Sequence, residues 1–405
     1  MSNCSVANRP HRAEDLLAER PLLLHKGKHH RNAAKIPVLL CLLSSLLISL
    51  TVTADDQFKT EKREITVEKL LDGLANPWSI AFIDENNWLI TERPGRLRQV
   101  SNGKLLDAPV QGLPAIDAIG QGGLLDVVLH PDFQNNQMVY LSFAGMANGL
   151  SGTEVVRGKL VGNNLTETQV IFAATPKHRG GRHFGSRLAF DDKGFLFITL
   201  GDRGDRETAQ RGKEHTGSII RLNDDGSIPT DNPYVNNAAV RDEIYSIGHR
   251  NVQGLAIDKA NNIIWAHEHG PQGGDELNRV LAGRNYGWPV ITYGVNYGTG
   301  TQIGIGNNKP GFEQPTWFWD PSIAPSGMAL VTSDKYPEWQ GNLLVGALKF
   351  QLIARLEIDQ DSGNVKHEER ILGKEFGRIR DIRQGPDGFL YFLTDSKDGG
   401  VYRIK

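Results

Sequence analysis

A histidine and an aspartate near the middle of the chain have the side-chain types needed for general-base chemistry. His183 follows a short run of glycine and arginine, and Asp202 comes just after the apolar segment Phe195–Leu200. An imidazole titrates near neutral pH, and a neighbouring carboxylate can orient it and stabilise its charged form. A single histidine is more often structural or exposed, so this interpretation depends on the fold bringing the two residues together.

Cationic and amide side chains recur beside the apolar segments at comparable places along the chain. Any one of them in a loop is more commonly a solvated surface group. Their recurrence indicates instead that the fold gathers them, and like charges held close together are unfavourable without a counter-charge. The pattern therefore predicts an anionic ligand near Gln121, Arg250, Asn251, Lys349, Arg378 and Arg380.

A second group of residues could bind a metal ion through oxygen. The carbonyls of Gly270 and Pro271 and the carboxylates at the end of Gly273–Glu276 are ligands of the type that Ca²⁺ takes. The same segment could equally be an ordinary solvated turn. His267 and His269 lie two residues apart without a third nitrogen or sulfur ligand nearby, so a zinc-type site is not expected.

The elements that must position these residues form a repeat. Six times, a short apolar segment is followed by a turn rich in Asp, Asn, Pro or Gly and by a second apolar segment, which is typical of β-hairpins. Successive second segments start 46 to 80 residues apart, at Trp88, Met138, Phe195, Ile263, Leu343 and Phe389. This spacing accommodates four strands with their loops, and helical periodicity is nearly absent. We therefore predict an all-β protein with the fold of a six-bladed β-propeller.

The main alternative fold is a pair of β-sandwiches. It is disfavoured because nothing in residues 55–405 has the composition of a linker, so we expect a single domain there. The last repeat is one strand short after Val401–Ile404, and the alternating segment Glu64–Leu70 can complete it. In a propeller the start of the first strand and the end of the second open on one face, so the polar residues should converge at one mouth.

Residues 1–54 have the pattern of an export signal. Seven Lys or Arg and three acidic residues precede Ile36, and an almost wholly apolar run extends to Leu50, before the segment ends in Val52-Thr53-Ala54. This order is typical of a secretory signal peptide, and the run is shorter than the ~20 apolar residues of a membrane span. We expect cleavage after Ala54, a periplasmic or secreted protein, and no stable membrane insertion. An uncleaved anchor is the alternative.

The composition excludes several classes of protein. With 39% apolar and 23% charged residues, the chain is neither disordered nor a polytopic membrane protein. Its 45 glycines have no Gly-X-Y period and indicate frequent turns. The part after the leader is mildly acidic, so nucleic acid is not an expected partner. Cys4 and Cys41 both lie in the leader, which would leave the mature chain without thiols.

Several motifs occur in order between residues 76 and 403: Gly120-Gln-Gly-Gly-Leu-Leu, His183-Phe-Gly-Ser-Arg-Leu, Gly201-Asp-Arg-Gly, Gly248-His-Arg-Asn-Val-Gln-Gly-Leu, Glu268-His-Gly-Pro, Gly274-Asp-Glu-Leu-Asn, Asn285-Tyr-Gly-Trp-Pro and Arg378-Ile-Arg-Asp. Each is a weak indicator alone, but the ordered set is highly specific. It resembles the soluble quinoprotein aldose sugar dehydrogenases, of the glucose/sorbosone dehydrogenase type, which use pyrroloquinoline quinone (PQQ).

The resemblance implies a catalytic role for three residues. His183 would be the general base, Asp202 would orient it and stabilise its charge, and Arg250 would stabilise the negative oxygen that develops on the quinone. The resemblance also implies which residues hold the cofactor, namely Gln121, Asn251, Tyr297, Lys349, Arg378 and Arg380.

The resemblance further implies two Ca²⁺ sites. The carbonyls of Gly270 and Pro271 would bind the ion that sits on the quinone. Glu276 and Tyr286 would belong to a second, structural site, with Tyr286 contributing its backbone carbonyl. Gly185 and Gly270 lie where the backbone is expected to pass close to a flat cofactor.

The implied reaction is the oxidation of aldose sugars at the anomeric carbon to lactones, with electrons passed to an external acceptor, by a monomer or homodimer. One alternative is a Ca²⁺-dependent propeller lactonase or hydrolase, which would need axial carboxylates around a metal. Another is a non-catalytic carbohydrate-binding propeller, which would not need His183.

Two departures from the family pattern bear on the substrate. Arg182 stands where better-known glucose enzymes have an acidic residue, and a Gly/Asn-rich insertion within residues 298–314 is expected to line the mouth.

Overall fold

The computed structural model describes residues 56–359 and 361–405, so the leader predicted over residues 1–54 lies outside the described residues. Within them the chain is almost entirely β-structure, with a four-residue helix, α1 (Phe133–Asn136), and two short 3₁₀ helices (Arg206–Gln210 and Pro337–Trp339). No helix among these residues is long and apolar enough to cross a membrane.

The strands form six antiparallel sheets, one for each predicted repeat. Two strands come first, β1 (Asp56–Lys59) and β2 (Glu64–Leu74). Blade 1 then contains β3 (Pro77–Phe82), β4 (Trp88–Glu92), β5 (Arg96–Ser101) and β6 (Lys104–Leu105). Blade 2 contains β7 (Leu124–Leu129), β8 (Met138–Ala147), β9 (Leu150–Val161) and β10 (Asn164–Ala173). Blade 3 contains β11 (Leu188–Phe190), β12 (Leu196–Thr199), β13 (Ser218–Leu222) and β14 (Ile244–Ile247).

The second half of the described chain continues the same pattern. Blade 4 contains β15 (Val252–Asp258), β16 (Ile263–Glu268), β17 (Asp275–Val280) and β18 (Trp317–Trp319). Blade 5 contains β19 (Pro325–Leu330), β20 (Leu343–Ala347), β21 (Leu352–Ile358) and β22 (Val365–Ile371). Blade 6 contains β23 (Ile379–Gln384), β24 (Leu390–Thr394) and β25 (Gly399–Ile404). Because the first strands of successive blades contact one another, they surround the central axis. The six-bladed propeller is confirmed.

The N-terminal strands close the last blade, as the sequence predicts. β2 pairs antiparallel with β25, with Glu68 opposite Arg403. The guanidinium of Arg403 also lies 2.7 Å from the Glu68 carboxylate. The predicted strand Glu64–Leu70 is correct but continues to Leu74, and β1 adds a fifth strand that the sequence did not indicate.

Apolar contact between neighbouring sheets holds the blades side by side. Strands such as β4 and β20 are buried along their whole length. Between blades 5 and 6, Leu344 and Ile353 belong to one buried cluster with Ile379 and Phe392. Removing such surfaces from water is the main favourable term in folding, and close packing fixes the sheets relative to each other.

Four charges form an axial ring, which we define as Asp126, Arg187 and Asp381, which are buried, and Arg383, which is half-buried. Arg187 lies 2.9 Å from Asp381 and 3.5 Å from Asp126, and Arg383 lies 3.0 Å from Asp381 and 2.8 Å from Asp126. Buried charges are tolerated when they are paired in this way. The guanidinium of Arg187 also lies 4.1 Å from the ring centroid of Trp78. The axial ring joins blades 2, 3 and 6.

Candidate active site

The fold brings His183 and Asp202 into direct contact. His183 lies in the loop before β11 with a left-handed φ of 54°, and Asp202 follows β12 in the same blade. His183 Nδ1 is 2.6 Å from Asp202 Oδ1. A carboxylate only accepts hydrogen bonds, so Nδ1 carries the proton and Nε2 keeps the lone pair of the neutral imidazole. This is the tautomer that a general base with a free Nε2 requires.

The surroundings keep the imidazole neutral and the carboxylate charged. Burial lowers the pKa of His183, and the charges of Arg250 and Arg182 lower it further, against the raising effect of Asp202. Burial alone would raise the pKa of Asp202, but its hydrogen bonds with His183 and Gly204 and the charge of Arg250 hold it below its ordinary value. The pair is therefore ready to accept a proton at neutral pH.

Two adjoining cavities open beside this pair. The inner cavity, of about 370 Å³, is lined by Trp78, Arg93, Gln121, Asn251, His269, Arg378 and Arg380, among others. The outer cavity, of about 910 Å³, is lined by Arg182, His183, Asp202, Arg250, Gly270, Pro271, Tyr297 and Lys349, among others. Gln121, His269 and Ala324 line both. Every residue that the sequence assigned to catalysis or to the cofactor thus lies on one of the two cavities.

The cations of the inner cavity are partly neutralised by the protein itself. Arg378 and Arg380 lie 3.2 and 3.0 Å from the same carboxylate, Asp395. Burial opposes ionisation of Asp395, but the charge of Arg380 and hydrogen bonds from Asn76 and Arg380 bring its pKa down to about 2. Two guanidinium groups thus share one carboxylate, and Arg93 adds a third cation to the wall. The inner cavity retains a net positive charge suited to an anion.

Tyr297 contacts the loop predicted to bind Ca²⁺. Its hydroxyl donates to the carbonyl of Pro271 at 2.9 Å, while its side chain is largely exposed on the outer cavity. The N–H of Gly270 donates to Asp275 Oδ1 at 2.9 Å. A Cβ on Gly270 would lie 2.2 Å from the carbonyl oxygen of Gly274, so this compact loop requires glycine at position 270.

Glu276 and Tyr286 border a third, much smaller cavity. Its volume is about 10 Å³, roughly the space of one water or ion, and Glu268 and Arg250 also line it. Burial and the neighbouring Glu268 raise the pKa of Glu276 well above its ordinary value. The Tyr286 hydroxyl is already used, because it donates to the carbonyl of Arg279. Within residues 56–359 and 361–405, no cluster of three or more His, Cys, Asp or Glu could hold a metal by side chains alone.

Two site residues have roles that the sequence did not indicate. The indole N–H of Trp288 donates to Asp202 Oδ2 at 2.8 Å, and the only signal for it was its place in the motif Asn285–Pro289. His269 follows the second strand β16, where polar residues are expected at the mouth, but no role was predicted for it there. Its Nε2 donates to the carbonyl of Pro325 at 2.6 Å, and burial lowers its pKa to about 3, so it is a neutral wall of both cavities. His267 is instead fully buried, and a Cβ on Gly254 would touch its ring.

Comparison with known proteins identifies the family. The family model for glucose/sorbosone dehydrogenase matches residues 74–403. The chain belongs to the glucose/sorbosone dehydrogenase family. It is similar to aldose sugar dehydrogenase YliI of Escherichia coli K12, with 42% identity over 381 residues that cover 93% of this chain and 99% of the relative.

Solved structures of relatives have the same propeller. The apo-form crystal structure of the soluble aldose sugar dehydrogenase of Escherichia coli is 45% identical, with a TM-score of 0.81, and the match covers 84% of this chain and 99% of that one. The PQQ-bound form of aldose sugar dehydrogenase from Streptomyces coelicolor is 26% identical, with a TM-score of 0.69 over 86% of this chain and all of that one. The resemblance inferred from the motifs is confirmed.

Proposed function

We propose that this glucose/sorbosone dehydrogenase family member is a PQQ- and Ca²⁺-dependent aldose sugar dehydrogenase. It oxidises aldoses at the anomeric carbon to lactones and passes the electrons to an external acceptor. The observation that carries the proposal is the pairing of His183 with Asp202 at 2.6 Å on the wall of a cationic cavity. Relatives named as aldose sugar dehydrogenases and a PQQ-bound member of the family support it.

The inner cavity fits a flat, tricarboxylate cofactor in size and charge. Its volume lies within the range of roughly 300–1,000 Å³ typical of cofactor and ligand sites. Arg378 and Arg380 present guanidinium groups that suit carboxylates, and Asn251 and Gln121 add amides. The Nε groups of Arg250 and Arg380 are buried without a hydrogen-bond partner among the described residues, as expected for donors that await an acceptor.

The oxygen atoms beside the cavities fit Ca²⁺. The carbonyls of Gly270 and Pro271 would hold an ion at the cofactor, and Tyr297 fixes the second of them. Glu276 and the backbone carbonyl of Tyr286 would hold a structural ion in the small third cavity, where Ca²⁺ would offset the cost of the buried carboxylates.

Each catalytic residue has a defined task in this reaction. His183 Nε2 takes the proton of the anomeric hydroxyl, and Asp202 stabilises the imidazolium that results. PQQ, when bound, would supply the acceptor for the C1 hydrogen and its electron pair, and C1 would become the carbonyl of the lactone. Arg250 stabilises negative charge at the reacting centre, because its guanidinium lies on the same cavity wall as His183.

We also propose that the protein acts outside the cytoplasm. The basic, then apolar, segment over residues 1–54 supports export, and the absence of cysteine after residue 41 suits an oxidising compartment. The mature chain would be a monomer or homodimer that is not inserted in the membrane.

Reconstitution tests the proposal. Metal-free apo-protein should reduce a redox dye with aldoses only after PQQ and Ca²⁺ are both added. His183→Ala should abolish turnover while retaining the visible absorption change on quinone binding. No dye reduction with any aldose by folded wild-type protein would exclude the proposed function.

The two alternatives give different results. A lactonase would use axial carboxylates on a metal, but Asp126 and Asp381 are both engaged by Arg187 and Arg383, which argues against it. A non-catalytic sugar-binding propeller would bind sugar equally well with His183→Ala and would reduce no dye.

A further inference from the structure

Arg203 is a buried cation with no carboxylate within ion-pair distance among the described residues, although the charges of Asp202 and Asp117 act on it from farther away. Only 6% of its surface is exposed, and burial lowers its pKa to about 10. Its guanidinium lies 3.4 Å from the ring centroid of Phe184. Arginine is seldom buried without a matching anion, so the hydrogen bonds that this one makes indicate why it is there.

Those hydrogen bonds go to the loop that carries His183. Nη1 of Arg203 donates to the carbonyl of Arg182, and Nη2 donates to the carbonyl of Gly180 at 2.7 Å and to Ser151 Oγ at 3.0 Å. Ser151 lies on β9, so the side chain also ties the loop of blade 3 to blade 2. One rigid guanidinium thus fixes the main chain immediately before His183 and, through Phe184, packs immediately after it.

The loop needs such a restraint because its backbone is not regular. Residues 179–187 lie outside any strand or helix, and His183 has a φ of 54°, which is unfavourable for a residue with a side chain. Conformations of this kind persist when the surroundings over-determine them. Other hydrogen bonds to the loop each act at a single point: for example, Gln121 Oε1 accepts the N–H of His183 at 2.7 Å, Thr153 donates to the carbonyl of Phe184 at 2.6 Å, and Asn251 Oδ1 accepts the N–H of Gly185 at 3.1 Å.

We propose that Arg203 is a positioning residue for the base. By holding the carbonyls of Gly180 and Arg182, it fixes the main chain from which His183 projects, so that Nδ1 meets Asp202 and Nε2 is presented to the substrate. Arg203 lines neither cavity and does not touch the reacting atoms. This inference rests on the proposed function in one respect, namely that His183 is the base.

Arg203→Lys and Arg203→Gln test the proposal against a matched control. Lysine keeps the charge but loses the planar fork, and glutamine avoids an unpaired buried charge if the lysine variant is too unstable to purify. The control is Arg221→Lys. Like Arg203, Arg221 is buried in blade 3, and its guanidinium lies 3.7 Å from the ring centroid of a phenylalanine, Phe195. Unlike Arg203, it donates hydrogen bonds to Asp231 and Asn232, away from the cavities.

Hydrogen exchange of the apo-proteins is the first measurement. Peptides covering residues 178–186 should exchange faster in both Arg203 variants than in the wild type or Arg221→Lys, while the strands of blade 3 stay protected. This result does not depend on any activity. Uniformly faster exchange of the whole blade in the Arg203 variants would reduce the residue to a general structural role and overturn the proposal.

Turnover is the second measurement. With PQQ and Ca²⁺ added, kcat of the Arg203 variants should fall about 10–100-fold, with KM and quinone affinity changed less than about twofold, because displacement of a base by ~1 Å has effects of this size. Arg221→Lys should keep the wild-type kcat. Equal kcat in wild type and Arg203→Lys would overturn the proposal, whereas an inactive wild type would refute the proposed function and leave the exchange result to decide on Arg203.

Discussion

Trp288 donates its indole N–H to Asp202 Oδ2 at 2.8 Å, while the other carboxylate oxygen contacts His183. Asp202 is therefore held on both sides, by the base that it orients and by an aromatic residue of the loop between β17 and β18. The ring centroid of Trp288 also lies 5.3 Å from the guanidinium carbon of Arg250. One tryptophan thus connects the carboxylate and the cation of the candidate active site.

Trp288→Phe should lower kcat about tenfold to a hundredfold with a smaller change in KM. The ring remains, but a hydrogen bond to a charged group is lost, which costs roughly 1.5–3 kcal/mol. Steady-state dye reduction measures the effect. Trp339→Phe is the matched control, because the Trp339 indole N–H is buried without a hydrogen-bond partner in the part of the chain that the structure describes, and it lies in blade 5. Equal kcat values for the two variants would show that the hydrogen bond from Trp288 to Asp202 does not contribute to catalysis.

Asp202→Asn should lower kcat by about 10²–10⁴-fold while quinone binding persists. An amide cannot stabilise the imidazolium, and it can hold His183 in the tautomer with its proton on Nε2. Loss of the carboxylate also removes the contribution that raises the pKa of His183, so this pKa should fall further. Single-turnover kinetics with loaded enzyme and NMR titration of His183 in the apo-protein measure the two effects separately.

The pH dependence of kcat/KM should report the pKa of His183. The base must be deprotonated, so activity should be lost as pH falls through a pKa below the ordinary histidine value. Arg182 is one of the charges that lower the pKa of His183, so Arg182→Gln should raise this pKa. The acid limb of the profile, where activity falls with decreasing pH, should therefore move to higher pH. Arg179→Gln, a change of an exposed neighbour outside both cavities, should leave the limb in place. A shift in the opposite direction for Arg182→Gln would contradict this assignment.

Asp381→Asn should destabilise the protein by about 3–5 kcal/mol, since it leaves the buried guanidinium of Arg187 and the half-buried one of Arg383 short of an anion. Glu338→Gln removes the carboxylate partner of Arg63 at 3.4 Å in a partly exposed pair and should cost less than ~1 kcal/mol. Urea unfolding of the two variants compares them. Similar small losses would show that the axial ring contributes little to stability.

Ca²⁺ should raise the melting temperature of the chelator-treated wild type, and Glu276→Gln should remove most of that increase. The ion would stabilise the folded state by binding it and not the unfolded chain. Differential scanning calorimetry with and without Ca²⁺ measures the shift, and Glu61→Gln, which alters an exposed carboxylate, should respond as the wild type does. An unchanged Ca²⁺ response in Glu276→Gln would exclude this residue as a ligand.

The fold could be predicted because each blade repeats its own local signal. The turns between first and second strands contain Asp, Asn or Gly in every repeat, so their spacing alone gave six sheets and the closing role of β2. β1 was missed because Asp56–Lys59 is short and largely exposed, and it is fixed only by pairing with β2.

The candidate site could be predicted only in part. Residues at the starts of the first strands and the ends of the second strands converge by topology, so His183, Asp202 and Arg250 were found. Trp288 was not found because it lies in the long loop between β17 and β18, whose path is set by tertiary packing. His269 directly follows β16 and so lies where the topology places polar residues, but its residue type alone did not indicate a role. Gly185 and Gly270 also have a reason to be glycine that the sequence did not indicate: Cβ atoms there would collide with the protein's own backbone at Leu200 and Gly274, whether or not a cofactor is bound.

Anaerobic mixing of an aldose with apo-protein reloaded with PQQ and Ca²⁺ tests the central claim most directly. The visible spectrum of the bound quinone should change to that of its reduced form within one turnover in the wild type. With His183→Ala the same quinone should be bound but reduced at least ~100-fold more slowly. Equal rates of quinone reduction in the two proteins, or no reduction by any aldose in the wild type, would contradict it.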